Sequence, residues 1–167
     1  MYTITRAMPE DAAELLTVLK QAGGESDNLS FGPEGLPFTV EEERAFLAQL
    51  HESESSVFFV AKKDGKIVGN ASFMAMSSPR MGHRGELGMS VLRSEWGKGV
   101  GRALMDAVLD FARHTAKAEI ISMEIRSDNI RAIRLCEKYG GEKVGTFKGF
   151  FKINGESIDF DLMNLYL

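Results

Sequence analysis

The sequence predicts a mixed α/β (α+β) fold, a mostly antiparallel sheet with a central βαβ unit and flanking helices, as a single domain over residues 1–167. Three observations carry that expectation. Leu87, Met89 and Val91 alternate with Glu86, Gly88 and Ser90, which is strand periodicity; past Gly97, Gly99 and Gly101, Val100, Leu104, Ala107, Val108 and Phe111 fall at helical spacing. Ile120–Ile125 then returns to strand composition, so strand 84–92, helix 100–115 and strand 120–126 make one βαβ unit with parallel strands. Finally, Asp64-Gly65 and Asn154-Gly155 each sit between alternating runs, the signal of a tight antiparallel hairpin.

The remaining elements follow in chain order. Tyr2 to Ala7 alternates and reads as a strand. Pro9, Glu10 and Asp11 suit a first helical turn, Leu15, Leu16 and Leu19 form an apolar stripe, and Gly23-Gly24 reads as the stop, which places the first helix over 9–22. Residues 23–38 are irregular and long for a connection, the kind of loop that carries function. Thr39 and Glu42 have capping-box spacing, so a second helix starts there and buries Phe46, Leu47 and Leu50. Strands are expected at 57–63 and 67–75. Asn129–Tyr139 reads as the last helix, ended by Gly140-Gly141, and 142–151 with 157–166 form the C-terminal hairpin.

Composition narrows the function classes. The net charge of −4 argues against a general nucleic-acid binder, which needs a basic face. The single cysteine permits no internal disulfide. The N-terminal residues lack the apolar core of a signal peptide, and no apolar run reaches membrane-spanning length, so the expectation is a cytoplasmic protein without a membrane partner. His51, His83 and His114 show no metal-ligand spacing with each other or with Cys136, so no metal is expected.

The chemistry concentrates in the glycine loop. Gly97, Gly99 and Gly101 let the backbone turn sharply just before a helix N-terminus, where unpaired N–H groups and the macrodipole favour a phosphate or pyrophosphate. Lys98 and Arg102 add positive charge. No Gly-Lys-Ser/Thr follows, so this is not a Walker loop. A dinucleotide fingerprint starting at Gly99 would need a third glycine where Leu104 stands.

Trp96-Gly97-Lys98-Gly99-Val100-Gly101 resembles motif A of the GNAT superfamily of acyl-CoA-dependent N-acetyltransferases, Arg/Gln-x-x-Gly-x-Gly/Ala, with Trp96 where Arg or Gln is usual. Asn129-Ile130-Arg131-Ala132-Ile133-Arg134-Leu135-Cys136-Glu137-Lys138-Tyr139-Gly140-Gly141 resembles motif B, Asn-x-x-Ala-x-x-Leu-Tyr-Glu-Lys-x-Gly-Phe, with Cys136 where the tyrosine is usual. The element order β-α-α-β-β-β-α-β-α-β-β extends the resemblance over essentially the whole chain.

The resemblance implies acetyl-CoA as cosubstrate, held between strands 84–92 and 120–126. The pantetheine would lie beside Met89 and Val91, the pyrophosphate on Trp96–Arg102, and Asn129 would contact the cofactor as well as cap its helix. A backbone N–H near Met89 would stabilise charge developing on the thioester oxygen. The acceptor would be a primary amine of a small molecule or peptide, which must lose a proton before it attacks. Glu86 is the candidate base; its other reading is an ion pair with Arg84. For the leaving thiolate, Cys136 or Tyr139 could donate a proton, or solvent could, and Cys136 also reads as a small buried apolar residue. In the acceptor loop, Glu25, Asp27 and Glu34 are candidates to hold an ammonium, with Phe31 and Phe38 as walls. The C-terminal strands permit a homodimer. Two other functions stay open: a non-catalytic CoA-binding module, fed by the departures at Trp96 and Cys136, and a nucleotide-binding protein.

Overall fold

Seven strands form one sheet in the order β1-β2-β3-β4-β5-β7-β6, and every neighbouring pair is antiparallel except β4 with β5. A computed structural model describes residues 1–167. Its elements are β1 (Tyr2–Arg6), α1 (Ala12–Glu25), α2 (Val40–His51), β2 (Val57–Lys63), β3 (Lys66–Ala75), β4 (Arg84–Val91), α3 (Val100–His114), β5 (Ile120–Arg126), α4 (Ile130–Lys138), β6 (Glu142–Ile153) and β7 (Glu156–Tyr166). This is the order read from the sequence. Both hairpin turns use the expected chemistry: Asp64 and Gly65 have φ of 49° and 78°, Asn154 and Gly155 have 51° and 81°, the paired left-handed conformations of a type I′ turn.

Consecutive residues of a strand face opposite ways, so one strand can feed two cores. Ala61 and Val68 join Phe73, Leu104, Val108, Phe111, Ile121, Met163 and Leu165 on the α3 side. Their neighbours Val60 and Ile67 join Leu15, Leu19 and Leu47 on the α1–α2 side. α3 holds the sheet most firmly, because Val100, Leu104, Met105, Val108, Leu109, Phe111 and Ala112 are all buried along one stripe; truncating such a residue as Leu104 to Ala costs about 2–5 kcal/mol. The Thr39 capping box starts α2: Glu42 N–H donates to Thr39 Oγ1 at 3.2 Å and Thr39 N–H to Glu42 Oε2 at 2.8 Å. No helix is long and apolar enough to cross a membrane.

The first helix differs from expectation. A 3₁₀ turn occupies Pro9–Asp11, and α1 then runs through Gly23-Gly24 to Glu25. The two glycines are not a stop. A Cβ on Gly23 would overlap the carbonyl of Gly32 and press on the Phe31 ring, so this glycine is the place where the 26–39 connection lies directly on the helix.

Candidate active site

β4 and β5 pair only where Arg84, Gly85 and Glu86 face Ile120, Ile121 and Ser122. Beyond that point each strand follows its other neighbour, β4 staying on β3 as far as Val91 and β5 on β7 as far as Arg126. The strands therefore diverge and leave backbone groups facing a gap, where a buried sheet would normally pair them. A cavity of about 510 Å³ fills the gap. Met89 and Val91 line one wall, Met123 and Ile125 the other; Trp96, Gly97, Gly99, Val100 and Gly101 close one end together with Asn129 and Arg131 of the α4 start.

That end is built for an anion. Gly97 and Gly99 have φ of 75° and 91°, and a Cβ on either would meet no protein atom within 4 Å, so the backbone there is bare towards a ligand. The first intrahelical bond of α3 runs from Ala103 N–H to Gly99 O at 3.0 Å; the N–H groups of Val100, Gly101 and Arg102 precede it and are the helix's unpaired donors. The Trp96 indole N–H donates to Val91 O at 2.7 Å, which fixes the ring at the mouth of the gap. The Arg131 guanidinium stacks 4.1 Å from the ring centroid and Arg93 lies at 5.4 Å. Arg131 makes no ion pair within 4.0 Å, unlike Arg126, whose guanidinium is held by Asp128 at 2.7 Å. Beside the loop, buried Glu95 accepts from Tyr2 at 2.6 Å and from Lys63 at 3.1 Å, with Lys98 at 3.5 Å. These donors hold its carboxyl down at about 2, and the cluster ties the glycine loop to β1 and β2.

The opposite end carries two carboxylates. Glu86 faces Ser122 across the short parallel pairing, and Glu124 lies two residues further along β5, so both point to the same side of the sheet. Glu86 forms no ion pair; Arg84 instead donates to Ser122 Oγ at 2.5 Å, and the Ser122 hydroxyl donates to Asn164 Oδ1 at 2.8 Å. Glu124 is exposed towards the open cavity; partial desolvation there, then the nearby Glu86 charge, raises its carboxyl above the ordinary range. A proton there costs less to hold than on an isolated surface carboxylate, which suits a group that must take one from an ammonium.

Comparison with known proteins agrees with this geometry. The model of the acetyltransferase (GNAT) family matches residues 26–141. The chain belongs to that family. It is 34% identical over 101 residues to the L-amino acid N-acetyltransferase AaaT of Escherichia coli K12, a stretch covering 60% of this chain and 62% of that protein. It is 34% identical over 59 residues to the N-alpha-acetyltransferase RimI of Mycobacterium tuberculosis, covering 35% of each. The chain thus aligns with about three fifths of one relative and one third of the other. A GNAT acetyltransferase structure from Streptococcus pneumoniae superposes with a TM-score of 0.96 over 100% of both chains at 27% identity. The Salmonella typhimurium yncA structure, solved with its cofactor acetyl-CoA, superposes at 0.86 over 99% of this chain and 94% of that one, at 22% identity, and shows the fold alone.

Several residues singled out in this GNAT sequence lie away from the gap. Cys136 is 1% exposed and packs in the α3-side core; burial, then Glu137, pushes its thiol up to about 11. Tyr139 donates to Asp106 Oδ1 at 2.5 Å and to the Arg102 carbonyl oxygen at 3.3 Å, tying α4 to α3; burial and that bond push its hydroxyl up to about 12. Neither lines the cavity. Lys98 is turned to Glu95, and the Arg102 side chain also lies outside the lining. In the acceptor loop, Glu25 is engaged by Arg93, whose N–H donates to Glu25 Oε2 at 2.6 Å and whose guanidinium donates to the Glu25 carbonyl oxygen. Asp27 lies with Glu25 in a shallow depression beside the cavity. Phe31 packs on the α1-side core and Phe38 is half exposed at 51%. The loop reaches the cavity through Asn28, Leu29 and Ser30 instead. Asn129 caps α4 as expected, its Oδ1 accepting from Ala132 N–H at 3.3 Å, and the residue lines the gap.

Four residues that line the cavity went unnoticed in the sequence although each leaves a signal. Glu124 is a lone charge inside Ile120–Ile125. Arg131 is a cation in the first turn of α4, where the macrodipole disfavours it. Phe150 and Phe151 break the alternation of the last hairpin.

Proposed function

We propose that this chain moves the acetyl group of acetyl-CoA to a primary amine of a small molecule or peptide, by direct attack within a ternary complex. The observation that carries the reading is one continuous cavity that joins an unpaired strand gap and a bare helix N-terminus at one end to two carboxylates at the other.

The residues present fit the cosubstrate. The unpaired edge of β4 around Met89 and Val91 offers backbone groups to the amides of a pantetheine arm, as an added strand would. Gly97, Gly99 and Gly101 with the α3 N-terminus cradle its pyrophosphate, and Arg131 supplies the cation that Trp96 does not. A β4 backbone N–H near Met89 stabilises the charge that develops on the thioester oxygen. Bound acetyl-CoA contributes the activated acyl carbon.

Glu86 and Glu124 receive the acceptor ammonium. One carboxylate takes its proton, the neutral nitrogen forms the C–N bond and releases a second proton to solvent as the amide forms, and the C–S bond breaks. Cys136 and Tyr139 are placed outside the gap, so the departing thiolate takes its proton from solvent, which its acidity permits: a thiol titrates near 8.5. A homodimer would form through β6, the edge strand, exposed along most of its length; sedimentation velocity reports it directly.

The test is thiol release from acetyl-CoA across a panel of amines, amino acids and short peptides, beside acetyl-CoA binding by calorimetry. Saturable release with one acceptor class is the expected result. Binding without transfer to any amine would point to the non-catalytic CoA module, and absence of binding would overturn the reading.

A further inference from the structure

The β6–β7 side of the cavity has a wall that the family motifs do not describe. Phe147 faces Phe160 and Phe151 faces Ile158, so four steps along β6 answer two along β7. The extra residues form a bulge at 148–150. Asp159 holds it: Lys148 Nζ donates to Asp159 Oδ2 at 2.8 Å and Gly149 N–H to Oδ1 at 2.8 Å. Gly149 has a φ of 61°, which a side chain would resist. The bulge carries Phe150 into a stack, 5.0 Å from Phe147 and 5.2 Å from Phe151 between centroids, with interplanar angles of 21° and 17°. Phe151 in turn lies 4.2 Å from Phe160. Phe150, Phe151 and Phe160 all line the cavity, and Phe150 is left 40% exposed. Phe160 faces Arg126 across β7–β5, two residues from Glu124, so the aromatic wall and the carboxylate share one face of the sheet.

The free charges that line the cavity away from the glycine loop are one-sided. Five ionisable acidic or basic side chains line the cavity: Glu86, Glu95, Glu124, Arg126 and Arg131. Glu95 is neutralised by Lys63 and Lys98. Arg126 spends its donors on both oxygens of Asp128 and on the Asp27 carbonyl oxygen. Arg131 stands over Trp96, whose indole is anchored on Val91, five residues and about 17 Å of strand from Glu86. Arg84 is held on Ser122 beside this pair and does not line the cavity. Glu86 and Glu124 are therefore the charges that face the acceptor there, and no cation lining that part of the cavity is left to pair an acceptor carboxylate. A free carboxylate would be drawn from water towards two like charges.

Building on the acetyltransferase reading, we propose that the acceptor is a primary amine bearing an aromatic or similarly flat apolar group and no free carboxylate next to the amino group. Its ring lies against Phe150 and its ammonium against Glu86 and Glu124. An arylalkylamine or an aromatic residue with a masked carboxyl group, including one at a peptide N-terminus, meets that description; a free aromatic amino acid does not.

The test uses the full chain with acetyl-CoA and four amines: 2-phenylethylamine, L-phenylalanine amide, L-phenylalanine and n-propylamine. kcat/KM for the first two is expected to exceed that for the last two by at least about tenfold, the scale of one lost hydrophobic or paired contact. Phe150→Ala is expected to lower kcat/KM for 2-phenylethylamine about tenfold more than for n-propylamine, and Phe150→Tyr, which keeps the ring, to restore it. Equal use of L-phenylalanine and its amide overturns the proposal, as does an equal effect of Phe150→Ala on both amines. Calorimetric titration of 2-phenylethylamine and L-phenylalanine into the CoA-saturated protein reads the same preference without turnover; no binding of the former overturns the proposal. Loss of acetyl-CoA binding itself would strike the acetyltransferase reading instead, so the two failures are distinct.

Discussion

Removing the Arg131 guanidinium tests how this chain binds a phosphate without the usual basic residue of its glycine motif. Arg131 presents its donors at the cavity mouth, stacked 4.1 Å from the Trp96 ring centroid and free of any carboxylate partner. Hydrogen bonds to a charged group are worth about 1.5–3 kcal/mol, and about 1.4 kcal/mol is a tenfold change in Kd. Arg131→Ala should therefore weaken acetyl-CoA binding about 10- to 100-fold. In the proposed mechanism the chemical step lies at the other end of the gap, so kcat at saturating acetyl-CoA should change less than about twofold, since uniform binding energy is what was removed. Losing the stack itself costs about 0.5–1 kcal/mol at such an exposed site, a fall in Tm of roughly 1–4 °C at this chain length. Arg131→Lys keeps the charge but not the fork or the flat stack, and should recover only part of the affinity. Calorimetry at two salt concentrations adds a check: the wild type should lose more affinity with salt than Arg131→Ala does. An unchanged Kd in Arg131→Ala, or a fall in kcat at constant Kd, would refute the reasoning.

Three further outcomes follow from the site. Cys136→Ala and Tyr139→Phe should each keep kcat within about twofold of wild type in the thiol-release assay, while Tyr139→Phe lowers Tm by removing the α4–α3 tie to Asp106; a tenfold loss of kcat in either would restore that residue to the chemistry. Glu86→Gln should move the acid limb of the kcat/KM profile to lower pH, because the Glu86 charge helps hold the Glu124 carboxyl up and its removal makes that proton easier to lose; an acid limb that stays or rises contradicts the pairing. Glu95 is held down at about 2 in the folded chain against 4.5 for the free group, so its contribution to stability is complete above about pH 4.5 and fades as pH falls towards 2. Thermal melts of Glu95→Gln should therefore lie below wild type at pH 7, with the two converging on acidification; a gap that stays constant to pH 3 would argue against the Tyr2–Lys63–Lys98 cluster as its source.

Local rules made much of the molecule legible in advance. The Asp64-Gly65 and Asn154-Gly155 turns, the Thr39 capping box, the Asn129 cap and the glycine loop ahead of α3 all depend on contacts within a few residues, and each formed as its sequence indicated. Gly23-Gly24 misled because glycine serves two purposes, ending a helix or letting another segment lie on it, and the partner that decides between them, Gly32, is set by the loop's path. Cys136 and Tyr139 carried motif positions, yet the rotation of α4 against α3 placed one in the core and gave the other to Asp106.

By itself the sequence determined the order of the elements, the type of each turn and the place of an anion-binding helix start, because short-range sterics and periodicity settle those. Only the tertiary structure decided where β4 and β5 part, which carboxylates meet in the gap, that Arg131 rather than Lys98 or Arg102 stands over Trp96, and that a bulge turns Phe150 inward. These are relations between residues far apart in the chain, such as Tyr2 with Glu95, separated by 93. They depend on which neighbour each strand follows and how each helix rolls on the sheet. No window of sequence contains that information, since it arises from packing all the elements at once.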